Sequence, residues 1–112
     1  MPYSLEKLEE LSDGDRDFIT SVVSVFVEET PADMKELEQA VQTGDFDAIY
    51  RHAHKIKPNV DLLGMEETTS LIRVLETKAK EHTDISGIKG MYAEVKEQIR
   101  EVITELKTDF AL

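Results

Sequence analysis

Apolar residues recur along nearly the whole chain at steps of three and four, the spacing of one face of an α-helix. Leu5, Leu8 and Leu11 begin the pattern, with Ser4 placed to cap a short helix and Ser12-Asp13-Gly14-Asp15 reading as a turn. Phe18, Val22, Val25 and Phe26 give the next helix a face, widened by Ile19 and Val23. In Thr30-Pro31-Ala32-Asp33 a capping threonine precedes an acid three residues on, and a proline takes the first helical position. A break or sharp bend is therefore expected there, followed by a helix through Met34, Leu37 and Val41. Gly44 is the expected stop, and Asp45 the cap of the next helix.

That next helix carries Ile49, Ala53, Ile56, Val60 and Leu63 as one stripe and ends at Gly64. A further helix runs from about Glu66 to Glu81, with Leu71, Ile72, Leu75 and Ala79 facing inward. Residues 82–87 connect it to the last one, marked by Ile88, Met91, Val95, Ile99, Val102 and Leu106. Residues 108–112 read as a frayed tail. No stretch alternates convincingly at period two, so the expected fold is all-α. It is an antiparallel four-helix bundle with rods near 15–42, 46–63, 65–82 and 87–107, in a single domain over residues 1–112, with an additional short N-terminal helix covering one end.

Composition narrows the possible chemistry. The 112 residues include no cysteine, which removes disulfides and thiolates and is compatible with a reducing cytoplasm. No apolar run reaches the ~18–20 residues of a membrane span. The first residues lack the basic and apolar regions of a signal peptide, so a cytoplasmic location is expected. The net charge of −11 disfavours nucleic acid. Residues 1–47 hold 13 acids against Lys7, Arg16 and Lys35, whereas residues 48–60 hold Arg51, Lys55 and Lys57 and no acid. The neighbourhood of His54 is therefore basic along the chain, which suits either an ordinary solvated face or a site that accepts negative charge.

His54 lies at the edge of its helix's apolar stripe, with Tyr50, Lys57, Pro58 and Asp61 in the same column. His52 and His54 point about 200° apart on a helix and cannot chelate one ion together. No Glu-x-x-His pair, nucleophile elbow or glycine-rich phosphate cradle is present. What remains is histidine as a nucleophile in its own right. Neutral imidazole accepts a phosphoryl group on Nε2 when its proton stays on Nδ1, and the product's added charge needs a cation nearby. Lys57 lies one turn from His54, and Lys55 and Arg51 raise the local potential.

Ala53-His54-Lys55-Ile56-Lys57, followed without a gap by Leu63-Gly64, resembles the signature of the histidine-containing phosphotransfer (HPt) family, A-H-x-L-K-G and then L-G. The resemblance implies a phosphoryl carrier between receiver-domain aspartates in a multistep relay. It makes His54 the phosphoacceptor and Lys57 its charge partner. It further implies docking through Arg51, Lys55, Pro58 and Asp61. The partners would be response-regulator receiver domains and a hybrid sensor histidine kinase. The chain would act as a free-standing monomer with no cofactor or metal of its own and no independent turnover, the Mg²⁺ being supplied by the receiver. The family also places Gln or Glu 22 positions after the histidine, here Glu76. That residue either accepts Nδ1–H of His54 or stands exposed and paired with Lys80.

Pro58 departs from the family's glycine. It removes the N–H that would bond the His54 carbonyl, so a kink at the site is expected. Val60 replaces a commonly small residue and is expected in the core, and Asn59 reads as a surface residue. A helical adaptor that keeps the fold but is never phosphorylated is the alternative, favoured by Pro58 and Val60 and opposed by intact His54 and Lys57. A metal-storage bundle is a distant third.

Overall fold

In the computed structural model, which describes residues 3–112, the chain forms five helices. They are α1 (Glu6–Ser12), α2 (Arg16–Thr43), α3 (Phe46–Leu62), α4 (Glu66–Lys80) and α5 (Ile85–Asp109), with no strand among the described residues. The starts and stops follow local chemistry. Asp15 caps α2 by accepting from Asp17 N–H and Phe18 N–H, Asp45 caps α3 by accepting from Ala48 N–H, and Asp84 caps α5 by accepting from Gly87 N–H. Gly44 and Gly64, at φ +68° and +66°, close the C-termini of α2 and α3. At the second, Met65 N–H bonds the Val60 carbonyl and Gly64 N–H bonds the Asp61 carbonyl, the Schellman pattern.

The break expected at Thr30-Pro31 does not occur. α2 runs unbroken through Pro31, and Thr30 is a buried residue in mid-helix rather than a cap. An interior proline costs about 3 kcal/mol. Fully burying one large apolar side chain returns about 1.5–3 kcal/mol. Val23 and Phe26 before the proline and Met34 and Leu37 after it are all buried on one face, so continuity outweighs the lost hydrogen bond. α3 likewise runs on through Pro58, with Ala53, Ile56 and Val60 fully buried on its inner face.

The inward face of α2 also differs from the expected one. Ile19, Val23, Phe26 and Val27 are buried, whereas Phe18 and Val25 are 45% and 51% exposed. On α4, Leu71 is only partly buried, while Ile72, Leu75 and Ala79 are fully enclosed. On α5, Tyr92 rather than Met91 fills the core.

The rods pack as an antiparallel ring, α2 on α3, α3 on α4, α4 on α5, and α5 back on α2. The N-terminal segment closes one end. α1 packs on α2, Ser4 N–H bonds the Leu63 carbonyl at 2.7 Å, and Lys7 pairs with Asp61 of α3 at 2.9 Å. Ser4 sits two residues before α1, its hydroxyl accepting from Glu6 N–H at 3.2 Å, and Leu11 stays exposed. The same end gathers the expected tail: α5 continues to Asp109, whose carboxylate accepts from the Tyr3 hydroxyl, and Arg16 stacks 4.7 Å over the Phe110 ring.

Candidate functional site

His54 sits in the middle of α3, about 12 Å along the axis from that helix's C-terminus. Its side chain is 60% exposed, yet the ring is held on two sides. Tyr50, one turn earlier, stacks on it with centroids 5.6 Å apart and planes 13° from parallel. From α4, Glu76 Oε2 lies 2.8 Å from Nδ1. A carboxylate oxygen accepts, so this contact puts the ring proton on Nδ1 and leaves Nε2 without a hydrogen-bond partner among the described residues.

Glu76 is the unusual member. It is 5% exposed and stands on the inner side of α4, one turn after Ile72. A buried carboxylate is tolerable only when paired. Oε2 meets His54, and Oε1 lies 2.7 Å from Lys57 Nζ, an ion pair whose geometry falls short of a well-aligned hydrogen bond. Lys80 is not its partner among the described ion pairs. His54, Lys57 and Glu76 are thus brought together, two from α3 and one from α4.

The other charged residues near the site are partly engaged. Lys55 Nζ lies 3.0 Å from Asp33 Oδ1 of α2, and that hydrogen bond, aided by the charge of Asp33, raises the lysine's pKa. Asp61 holds Lys7. Arg51 is exposed and in no ion pair among the described residues. Pro58 is exposed beside His54, Asn59 is exposed, and Val60 is fully buried. The basic stretch read along the chain therefore faces acids from other helices, and its cationic character is smaller in space than in sequence.

The remaining histidines lie apart from this group. His52 Nδ1 is 3.5 Å from Glu36 Oε2, and His82 stacks on Phe46 with Nε2 3.0 Å from Asp47 Oδ1. Among the described residues no three His, Cys, Asp or Glu side chains converge as a metal site, and no helix is long and apolar enough to cross a membrane.

One feature of the site was missed in the sequence. Between α2 and α3 runs a groove of about 270 Å³, lined by Phe18, Val22 and Val25 of α2 and by Asn59 and Leu62 of α3, one to two turns beyond His54. The signal was present: α2 carries two adjacent apolar stripes, Ile19-Val23-Phe26 and Phe18-Val22-Val25, where one is enough to face a core. The second stripe leaves large apolar side chains, Phe18 and Val25, in water along this groove.

The bundle presents an exposed imidazole oriented by a buried carboxylate, and comparison with known proteins supplies the class. The family model described as "Hpt domain" matches residues 21–109. The chain belongs to the histidine-containing phosphotransfer domain family. Among solved structures it is similar to histidine-containing phosphotransfer protein B (HptB) from Pseudomonas aeruginosa PAO1, with a TM-score of 0.87 at 18% identity, covering 98% of this chain and 95% of that one. It is also similar to the HPT domain from the Hpt sensor hybrid histidine kinase from Shewanella, with a TM-score of 0.83 at 13% identity over 96% and 92% of the two chains. No curated protein sequence matches it significantly.

Proposed function

We propose that this chain is a phosphorelay intermediate that carries a phosphoryl group on His54 between receiver-domain aspartates. The observation that supports this most is the 2.8 Å contact between Nδ1 and the buried Glu76 carboxylate on a ring that is otherwise 60% exposed. It keeps the proton on Nδ1 and leaves the Nε2 lone pair for attack. The Nε2–P bond forms as the P–O bond to the donor aspartate breaks. The aspartate leaves as a carboxylate, and Nδ1–H stays in place, donated to Glu76. Transfer onward reverses the sequence on a second receiver.

The phosphorylated ring, substituted on one nitrogen and protonated on the other, is cationic. The face of Tyr50 and the carboxylate of Glu76 both favour that cation, which makes Tyr50 and Glu76 positioning residues. Lys57 adds positive charge beside the phosphoryl oxygens. The receiver supplies Mg²⁺ and most of the transition-state stabilisation, and this chain uses no cofactor of its own.

Receiver docking centres on the exposed side of α3, with Arg51, Lys55, Pro58 and Asp61 around His54. The Phe18-Val22-Val25 stripe provides the apolar part of a small transient interface. Phosphotransfer from a phosphorylated receiver, with an acid-labile and base-stable label as readout, tests the reading. Wild type takes the label and His54→Gln does not. Equal labelling of the two, or none in either from several donors, leaves the unphosphorylated adaptor as the better description.

A further inference from the structure

His54 and Glu76 occupy the α3–α4 side of the ring of helices, so the α2–α5 side lies across the bundle from them. A groove of about 390 Å³ runs along that far side. Buried Met34 and Ile99 form its floor, with Ile103 partly exposed between them and solvent. Four cations line it, Lys35 from α2 and Lys96, Arg100 and Lys107 from α5, against the single carboxylate of Glu38. On α5 these cations fall at steps of four and seven, one column beside Ile99 and Ile103.

Some of that charge is already engaged. Glu38 Oε1 takes Lys96 at 2.8 Å and the Tyr92 hydroxyl at 3.2 Å, Arg100 pairs with Glu97, and Glu101 also lies near Arg100. Lys35 and Lys107 have no ion pair among the described residues. A chain of net charge −11 thus concentrates cations along one apolar groove.

We propose that this groove docks an acidic amphipathic segment of a protein partner. Because it lies across the bundle, it does so while a receiver covers His54. Apolar side chains at helical spacing fit the floor, and carboxylates meet Lys35 and Lys107. Charge range selects this occupant. At physiological salt, charges farther than about 8 Å are largely screened, so a short acidic segment feels the groove cations while most of the protein's acids are masked. An extended polyanion such as nucleic acid meets the acidic surface on either side, and a second copy brings its own charge of −11.

The test is a titration of ¹⁵N-labelled protein with a short synthetic helix that carries leucine and glutamate at i, i+4 spacing. Saturable amide shifts are expected at Lys35, Lys96, Ile103 and Lys107, and none with the same helix bearing lysine for glutamate. The double variant Lys35→Glu/Lys107→Glu should bind about fivefold to tenfold more weakly. Its circular dichroism and its phosphotransfer to His54 should match wild type. The proposal is overturned by absence of saturable shifts, by shifts gathered at Phe18 and Val25 instead, or by undiminished binding in the double variant. Concentration-dependent dimerisation in sedimentation that the double variant abolishes, or binding to phosphatidylglycerol vesicles in place of the peptide, also overturns it, in favour of a second copy or a membrane.

Discussion

At the scale of single residues, the imidazole of His54 is constrained without being buried. A hydrogen bond fixes its tautomer, and a stacked ring limits its rotation. The two constraints separate experimentally. Glu76→Gln keeps an acceptor for Nδ1–H, so transfer from a phosphorylated receiver should stay within a few-fold of wild type. Glu76→Leu removes the acceptor and should slow transfer by about 10- to 100-fold, the usual effect of losing the group that orients a reactive histidine. Imidazole ¹⁵N shifts should show a mixed tautomer in that variant. Tyr50→Leu should leave the tautomer unchanged yet slow transfer severalfold, and Tyr50→Phe, which keeps the ring, should restore it. The structure brings His54, Lys57 and Glu76, singled out in the sequence, into contact. The sequence left open whether Glu76 met His54 or Lys80, because that depends on how α4 is rotated against α3.

At the scale of helices, two glycines with similar dihedrals differ in what surrounds them. Gly44 has open space where a Cβ would stand. At Gly64 a Cβ would lie 2.7 Å from Ser4 Cβ and 3.1 Å from the Ser4 backbone. Gly44→Ala should therefore cost only the left-handed backbone penalty, about 1–2 kcal/mol. Gly64→Ala adds an overpacking cost of about 1–3 kcal/mol, because the N-terminal segment must move. Urea midpoints measure both, and the larger loss at Gly64 should be accompanied by faster amide exchange at Ser4, whose N–H bonds the Leu63 carbonyl. The Leu63-Gly64 pair thus forms the seat for the start of the chain as well as the end of the site helix.

At the scale of the whole molecule, the two ends of the chain are fastened together. The Tyr3 hydroxyl donates to Asp109, and burial together with that carboxylate pushes the Tyr3 pKa from 10.0 up to about 12. A pKa raised on folding means that the folded state holds this proton more tightly. The stabilisation is complete below about pH 10 and disappears as the pH climbs through about 12. Tyr92 shifts in the same direction, chiefly through burial and then through the charge of Glu38. Urea midpoints should therefore fall between about pH 10 and pH 12, and Tyr3→Phe should flatten part of that decline. The expectation of a frayed tail failed here because the partners of Asp109 and Phe110, Tyr3 and Arg16, stand at the other end of the sequence.

Local chemistry written in the sequence determined the five helices, their caps at Asp45 and Gly44, and the relation of His54 to Lys57 within one helix. Periodicity and capping act over a few residues, so they can be read without knowing the fold. Tertiary packing decided that α2 runs through Pro31, since the gain from burying both halves of a continuous face is invisible in a four-residue turn signal. Packing also chose between the two apolar stripes of α2, sending Ile19 and Val23 inward and leaving Phe18 and Val25 exposed along the α2–α3 groove. And it placed the Glu76 carboxylate in a nearly dry gap between α3 and α4, where only an imidazole and an ammonium from another helix make its charge tolerable.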